Sequence, residues 1–321
     1  NESKKRIHKK QKAAEKTSES NKGGVLMKEY IYYPGCSVKT NAKHYEESIL
    51  PVFKILGLEL EELPDWNCCG ATASMSVDDK KTAAINGRIL SIAEKAGKDI
   101  IAPCAACYLS LKKANNFLKE DSEESEKILS QLKKLDLEYK GTIKVKHPVE
   151  VLTKEIGIDR IKEKVQQELK GLKVASYYGC QVVRPFTEFD DADYPQIMDT
   201  LLRSLGVETV DFTAKTKCCG GALTANLEEL GAKLNYIILK EAQKKGADAI
   251  VTLCPLCLFN LEIMQNKINK LYKEDFKMPI LFFSQLMGLA FGFSREEMGF
   301  SRSLIQTKQI WDKIETGGIN V

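Results

Sequence analysis

The ten cysteines of this chain fall into two sets of five with the same internal order. Each set opens with a cysteine after a glycine (Cys36, Cys180) and continues with a Cys-Cys-Gly triplet (Cys68–Gly70, Cys218–Gly220). It closes with Cys-x-x-Cys (Cys104 and Cys107, Cys254 and Cys257). From Cys69 to Cys104 and from Cys219 to Cys254 there are 34 intervening residues, and no cysteine lies outside the pattern. Such a repeat constrains the chain to two copies of one unit. Adjacent side chains point different ways, so Cys218 and Cys219 in "KTKCCGGALTAN" cannot both enter one apolar core. Neighbours also close a disulfide on each other only with strain.

The flanking sequence repeats as well. "MKEYIYYPGC" and "GLKVASYYGC" each read as a short strand ending in Gly-Cys. An amphipathic helix follows, stopped at Gly57 or Gly206, and a short strand leads into the triplet. "KKTAAINGRILSIAEKAGKDIIAPCAAC" and "EELGAKLNYIILKEAQKKGADAIVTLCPLC" both read as helix, glycine break, buried strand, then Cys-x-x-Cys opening a helix. Alternating strands and helices place the chain in the α/β class. We expect two duplicated halves related by a pseudo-two-fold, each a small parallel sheet flanked by helices. The boundaries are a basic disordered tail over 1–26, a first unit over 27–118, a helical connection over 119–170, and a second unit with C-terminal helices over 171–321. The tail has no aromatic residue, too little apolar surface to order itself. The acidic run "LKEDSEESEKILSQLKKL" reads as a solvated helix face.

Charge and hydropathy exclude several functions. The formal charge is +4, but residues 1–26 hold +5, so the remainder is −1 and offers no basic surface for nucleic acid. The apolar run "PILFFSQLMGLAFGF" at 279–293 contains Ser284 and Gln285 and falls short of the roughly 20 residues of a spanning helix. It reads as a buried helix. Ten cysteines without a visible secretory signal suggest a reducing, cytoplasmic setting and metal rather than disulfides. No G-x-G-x-x-G or P-loop is present, nor the closely spaced cysteine run of cubane ferredoxins, so electrons must be exchanged with another subunit.

Four uses compete for five sulfurs per half. Buried thiols as small hydrophobes do not account for a doubled pattern. Zinc takes four ligands and leaves one sulfur over in each half, though it stays open for one of the two. A dithiol mechanism at Cys-Pro-Leu-Cys leaves three cysteines unexplained. Iron–sulfur ligation fits best, since clusters gather thiolates from several chain segments. The glycines allow close approach and N–H bonds to sulfur, and a helix N-terminus favours thiolate. A fifth sulfur exceeds what a four-iron cube uses, which suggests an unusual cluster.

This pattern, with "YYPGC", "HPVEVL" and "SQLMGLAFG", resembles the CCG-domain family and within it the B-type subunits of heterodisulfide reductases, from Met27 to about residue 293. The resemblance implies two non-cubane [4Fe-4S] clusters, one on Cys36, Cys68, Cys69, Cys104 and Cys107, the other on Cys180, Cys218, Cys219, Cys254 and Cys257. It implies a ferredoxin-like iron–sulfur partner (a C-type subunit) fed by a flavin partner (an A-type subunit). The implied reaction is two-electron reduction of a disulfide to two thiols, each cluster delivering one electron. The disulfide is the CoM–CoB heterodisulfide, another small-molecule disulfide or a protein disulfide. Gly70, Gly220 and Gln181 would line the substrate site between the clusters. Methanogen members carry His where this chain has Gln181, and an amide cannot deliver a proton as imidazolium does. His147 is the candidate proton donor, against a plain reading as a hydrogen-bonded structural histidine. The same resemblance also covers electron-relay subunits of glycolate, lactate, glycerol-3-phosphate and succinate dehydrogenases.

Overall fold

The β-rich segments before Cys36 and Cys180 are central strands of two separate sheets. In the computed structural model, which describes residues 29–316, β1 (Tyr30–Tyr32), β2 (Glu61–Glu62), β3 (Asp99–Ile101) and β4 (Val145–Lys146) pair in parallel in the order β2-β1-β3-β4. The second sheet repeats that order with β5 (Lys173–Tyr177), β6 (Glu208–Thr209), β7 (Ala249–Thr252) and β8 (Ile280–Phe282), as β6-β5-β7-β8. Ile101 pairs with Lys146 and Val251 with Leu281, so His147 and Phe282 occupy equivalent positions. All residues of β1, β3, β7 and β8 are buried, as parallel strands covered on both faces require. The duplicated α/β architecture is therefore the expected one. The tail over 1–26 lies outside the described residues.

Helices α1 (Lys43–Ile55), α2 (Asp79–Lys95) and α3 (Ala105–Phe117) cover the first sheet. Helix α4 (Glu123–Lys133) follows them, and α5 (Ile197–Arg203), α6 (Glu228–Lys244), α7 (Pro255–Ile263) and α8 (Phe283–Ala290) belong to the second half. Tyr45, Ile49, Val52 and Phe53 form the buried face of α1. Asp78 caps α2, its carboxylate accepting the N–H groups of Lys80 and Lys81. Helices α3 and α7 begin directly after Cys104 and Cys254, so each β-strand hands over to a helix at its Cys-x-x-Cys.

The halves interlock. Phe282 stacks on Tyr45 of the other half at 4.0 Å, and Ser284 Oγ lies 2.6 Å from Ser48 Oγ. In the reciprocal contact, the turn Pro148–Glu150 after β4 meets α5. This exchange fits the expected pseudo-two-fold.

Three local features differ from the sequence reading. Residues 119–170 hold α4 as expected, but also β4, whose two residues are too few to show a period. The apolar run at 279–293 is split between β8 and α8, because a short apolar stretch does not distinguish strand from helix. Between Cys180 and Cys218 stand 37 residues, against 31 between Cys36 and Cys68. The longer loop crosses onto the first half. There Phe189 is buried against Tyr108, His147 and Tyr178, with ring centroids at 6.4, 5.9 and 6.5 Å. Lys112 Nζ donates to Glu188 at 3.2 Å, and the Asp190 carboxylate accepts the N–H groups of Gln196 and Ile197 at the start of α5.

Helix α7 carries a pH-sensitive tie. Glu262 is buried, accepts the Leu304 N–H at 3.1 Å, and has its pKa raised to about 7 by that burial. A raised carboxyl pKa favours folding while the group is protonated, so this contribution is lost as pH rises through about 7. We expect thermal stability to fall by up to about 3 kcal/mol between mildly acidic and mildly alkaline pH. Glu262→Gln should flatten that dependence in anaerobic circular-dichroism melts; parallel curves for the two chains would refute the assignment.

Candidate metal centre

Both strand ends reach their cysteine past a sulfur. Gly35 has φ +71°, and a Cβ there would stand 2.9 Å from Cys107 Sγ; at Gly179, φ is +70° and the distance to Cys257 Sγ 3.1 Å. Only glycine holds that conformation and spacing together. The triplets are pinned from below and behind. Tyr33 donates to the Asn67 carbonyl and Tyr177 to the Lys217 carbonyl, each at 2.7 Å. The Cys69 carbonyl accepts from Asn86 Nδ2 at 3.1 Å and Ser110 Oγ at 2.8 Å. The Cys219 carbonyl accepts from Asn235 Nδ2 at 2.9 Å and Asn260 Nδ2 at 3.4 Å.

The sulfurs of each half come together in contacting pairs. Cys69 and Cys107 are 3.2 Å apart, Cys36 and Cys68 4.0 Å, and Cys219 and Cys257 3.6 Å. The Gly220 N–H donates to Cys218 Sγ at 3.3 Å, and Asn260 Nδ2 lies 3.5 Å from Cys219 Sγ. The Cys107 and Cys68 thiols, with the Ala71 N–H, lower the Cys69 pKa to about 4. The Cys180 thiol and the Gly220 N–H lower that of Cys218 to about 6. Cys254 is held well below the usual thiol range by the thiols of Cys104 and Cys257 and by the N–H groups of Cys257 and Leu256 at the start of α7. That Cys104–Cys254 contact joins the two halves.

Among the described residues, no three His, Cys, Asp or Glu side chains are placed around a position for one metal ion. The donor set is five thiols per half, with Cys69, Cys218, Cys219 and Cys254 shifted toward the thiolate by neighbouring thiols and by N–H groups aimed at sulfur. That chemistry fits an iron–sulfur group in each half.

A cleft of about 220 Å³ lies between the halves. All five second-half cysteines line it, with Gly220 and Gln181; Ala71, Thr72, Met75, Ser76 and Ala105 form the opposite wall. The first-half cysteines do not line it, and Gly70 stands one residue before its wall. His147 is fully buried away from this lining. Its Nε2 lies 3.2 Å from the Pro103 carbonyl and 3.1 Å from the Leu253 carbonyl, and Nδ1 accepts the Val149 N–H at 3.3 Å. Burial lowers its pKa to about 4, so the ring is neutral at physiological pH. His147 thus bridges the two residues that precede Cys104 and Cys254.

Sequence reasoning missed a buried network beside Cys180. Lys215 Nζ donates to Asp199 Oδ2 at 3.1 Å and to the Pro195 carbonyl at 2.9 Å, and Tyr178 donates to Asp199 at 2.6 Å. A lysine in "TAKTKCC" reads as a surface residue, and nothing in its neighbours signals burial.

Comparison with known proteins places this geometry among relatives. A family profile described as a cysteine-rich domain (CCG) matches residues 30–112 and again 174–262. The chain is 33% identical over 287 residues to the 8-methylmenaquinol:fumarate reductase membrane anchor subunit of Wolinella succinogenes, covering 89% of this chain and 100% of that protein. It is 35% identical over 292 residues to the B-type subunit of the ferredoxin/F420H2-dependent CoB–CoM heterodisulfide reductase of Methanosarcina acetivorans, covering 88% of this chain and 95% of that one. Among solved structures, a hypothetical protein from Helicobacter pylori shares the fold, with a TM-score of 0.70 at 16% identity over 87% of this chain and 52% of that chain.

Proposed function

The chain belongs to the CCG family of cysteine-rich proteins, and from that premise we propose that it is an iron–sulfur subunit that reduces a disulfide to two thiols. One observation carries the reading: all five sulfurs of one half line a single cleft whose other wall comes from the opposite half. Cys36, Cys68, Cys69, Cys104 and Cys107 would hold one non-cubane [4Fe-4S] cluster, and Cys180, Cys218, Cys219, Cys254 and Cys257 the other. Such groups supply electrons singly, and cleaving an S–S bond takes two electrons and two protons.

The chain's own residues define the rest. Because the five sulfurs that would hold the second group line it, the cleft of about 220 Å³ is first the seat of that group, and a disulfide would reach the group from the side formed by Thr72, Met75 and Ser76. Gln181 is neutral, so it orients a sulfur or a neighbouring polar group without protonating it. Thr72 and Ser76 on the opposite wall bear hydroxyls that can pass protons from solvent to the departing sulfurs. The buried, neutral His147 positions the two Cys-x-x-Cys segments. The partners would be a ferredoxin-like iron–sulfur subunit and, behind it, a flavin subunit, in the cytoplasm. Among the described residues no helix is long and apolar enough to cross a membrane.

The test is anaerobic turnover with a reduced dye and a panel of disulfides, on protein carrying about eight iron per chain. We expect two thiols per disulfide consumed. A fully loaded protein inert toward every disulfide would instead favour an electron-relay subunit without a substrate of its own. The full-length similarity to a fumarate reductase subunit supports that second reading.

A further inference from the structure

Asn86 and Asn235 hold the carbonyls of Cys69 and Cys219 in the same way, so Thr82 and Gly231, each four residues earlier, occupy equivalent places on α2 and α6. The repeat diverges there. At Gly231 the turn after the second triplet lies directly on α6, where a Cβ would stand 2.8 Å from Thr224 Cγ2 and 3.0 Å from its Cα. Thr82 puts a side chain where α6 leaves room for that turn. Beside it, between α2, α3 and the long loop of the second half, stands a chamber of about 360 Å³. Met75, Ala83, Ala114, Phe117 and Phe186 supply its apolar wall. Its buried polar groups are already engaged: Ser110 Oγ donates to the Cys69 carbonyl at 2.8 Å and Thr82 Oγ1 to the Asp78 carbonyl at 3.0 Å. Its charged residues cancel, Lys80 and Lys113 against Asp79 and Glu120, and Lys80 pairs with Glu124 at 2.8 Å.

We propose that this chamber binds an uncharged, ring-sized apolar group, and that the group is one arm of the substrate. The second half of that statement rests on the reading above that the chain reduces a disulfide. Three observations fix the ligand class. The volume falls within the roughly 300–1,000 Å³ of small-molecule sites. The surface left for a ligand is aliphatic carbon and the rings of Phe117 and Phe186, and a lining without net positive charge gives an anionic end group no partner to repay its desolvation. Met75 lines both the chamber and the cleft, and Ser110 holds the Cys69 carbonyl, so the chamber adjoins the metal centre at the first triplet. A disulfide that approaches along Met75 can therefore lay one arm past that side chain. The substrate is then a disulfide with at least one uncharged apolar arm.

The experiment is anaerobic calorimetric titration of the iron-loaded chain with 2-naphthol and with naphthalene-2-sulfonate, the same rings bearing an anion. We expect naphthol to bind with a single site and the sulfonate to bind at least tenfold more weakly. Ala114→Phe fills the chamber and should weaken naphthol binding at least tenfold, through lost apolar burial, with iron content unchanged. If that variant loads poorly, Phe186→Asp, at a half-buried loop residue, serves with the same expectation. In turnover, Ala114→Phe should raise KM for benzyl 2-hydroxyethyl disulfide at least tenfold at unchanged kcat, and leave both constants for bis(2-hydroxyethyl) disulfide as they were. Naphthol that fails to bind, a sulfonate that binds as tightly, or binding indifferent to the substitutions overturns the chamber and leaves disulfide reduction standing. Equal KM shifts for the two disulfides overturn the assignment of the arm. Naphthol binding as expected in a chain inert toward every disulfide upholds the chamber and refutes disulfide reduction instead.

Discussion

Cys254→Ser is expected to remove about half of the iron and to lower disulfide reduction by at least about 100-fold, beyond what changes around a metal site usually produce. Cys254 is fully buried at the N-terminus of α7, between Cys104 and Cys257, and its sulfur lines the cleft. A serine oxygen there is harder than sulfur and does not ionise at neutral pH, so it cannot replace a thiolate on iron. The fold should survive, because Asn235 and Asn260 still hold the Cys219 carbonyl and β7 keeps its pairing with β5 and β8. Cys36→Ser should remove the other half of the iron, since it belongs to the first set. Iron analysis and low-temperature electron paramagnetic resonance of the two variants check both statements. Full iron and undiminished turnover in Cys254→Ser would refute the ligand assignment.

Much of this site is legible in the chain because its chemistry is tied to spacing. The two 34-residue intervals, from Cys69 to Cys104 and from Cys219 to Cys254, encode helix, turn and strand of fixed length, so β3 and β7 deliver Cys104 and Cys254 to matching places. What the spacing does not carry is how the halves meet. The pairing of Phe282 with Tyr45 joins residues more than 200 apart, and both read simply as apolar. Phe189 lies in a stretch, "RPFTEFDDADYP", whose polarity reads as exposed loop; Tyr108 and His147 of the other half and Tyr178 of its own form the pocket that buries it. A symmetric repeat likewise suggests a symmetric cavity. Six extra residues after Cys180 break that symmetry in the chain, and the sulfurs that line the cleft all come from the second half.

Lys215→Met is expected to destabilise the protein by about 3–5 kcal/mol, the usual consequence of leaving one charge of a buried pair alone. In a chain of this size that lowers the melting temperature by about 10 °C. Lys215 and Asp199 have side-chain exposures of 1% and 2%, so solvent cannot take over for the missing ammonium. Asp199 would keep the Tyr178 hydroxyl at 2.6 Å and the half-exposed Arg203 guanidinium at 3.9 Å but lose its buried cation, and the Pro195 carbonyl would lose its donor. The damage should reach the metal site, because the Lys215 carbonyl accepts the N–H groups of Tyr178 and Gly179 and so ties the strand end carrying Cys180 to the loop carrying Cys218. Adding Asp199→Asn to the same chain removes the stranded charge while keeping an acceptor for Tyr178, and should recover most of the loss. Thermal melts of the single and double variants, with iron content read alongside, decide the matter. A single variant as stable as the unaltered chain, or a double variant less stable than the single, would show that the ion pair does not hold this corner of the second half.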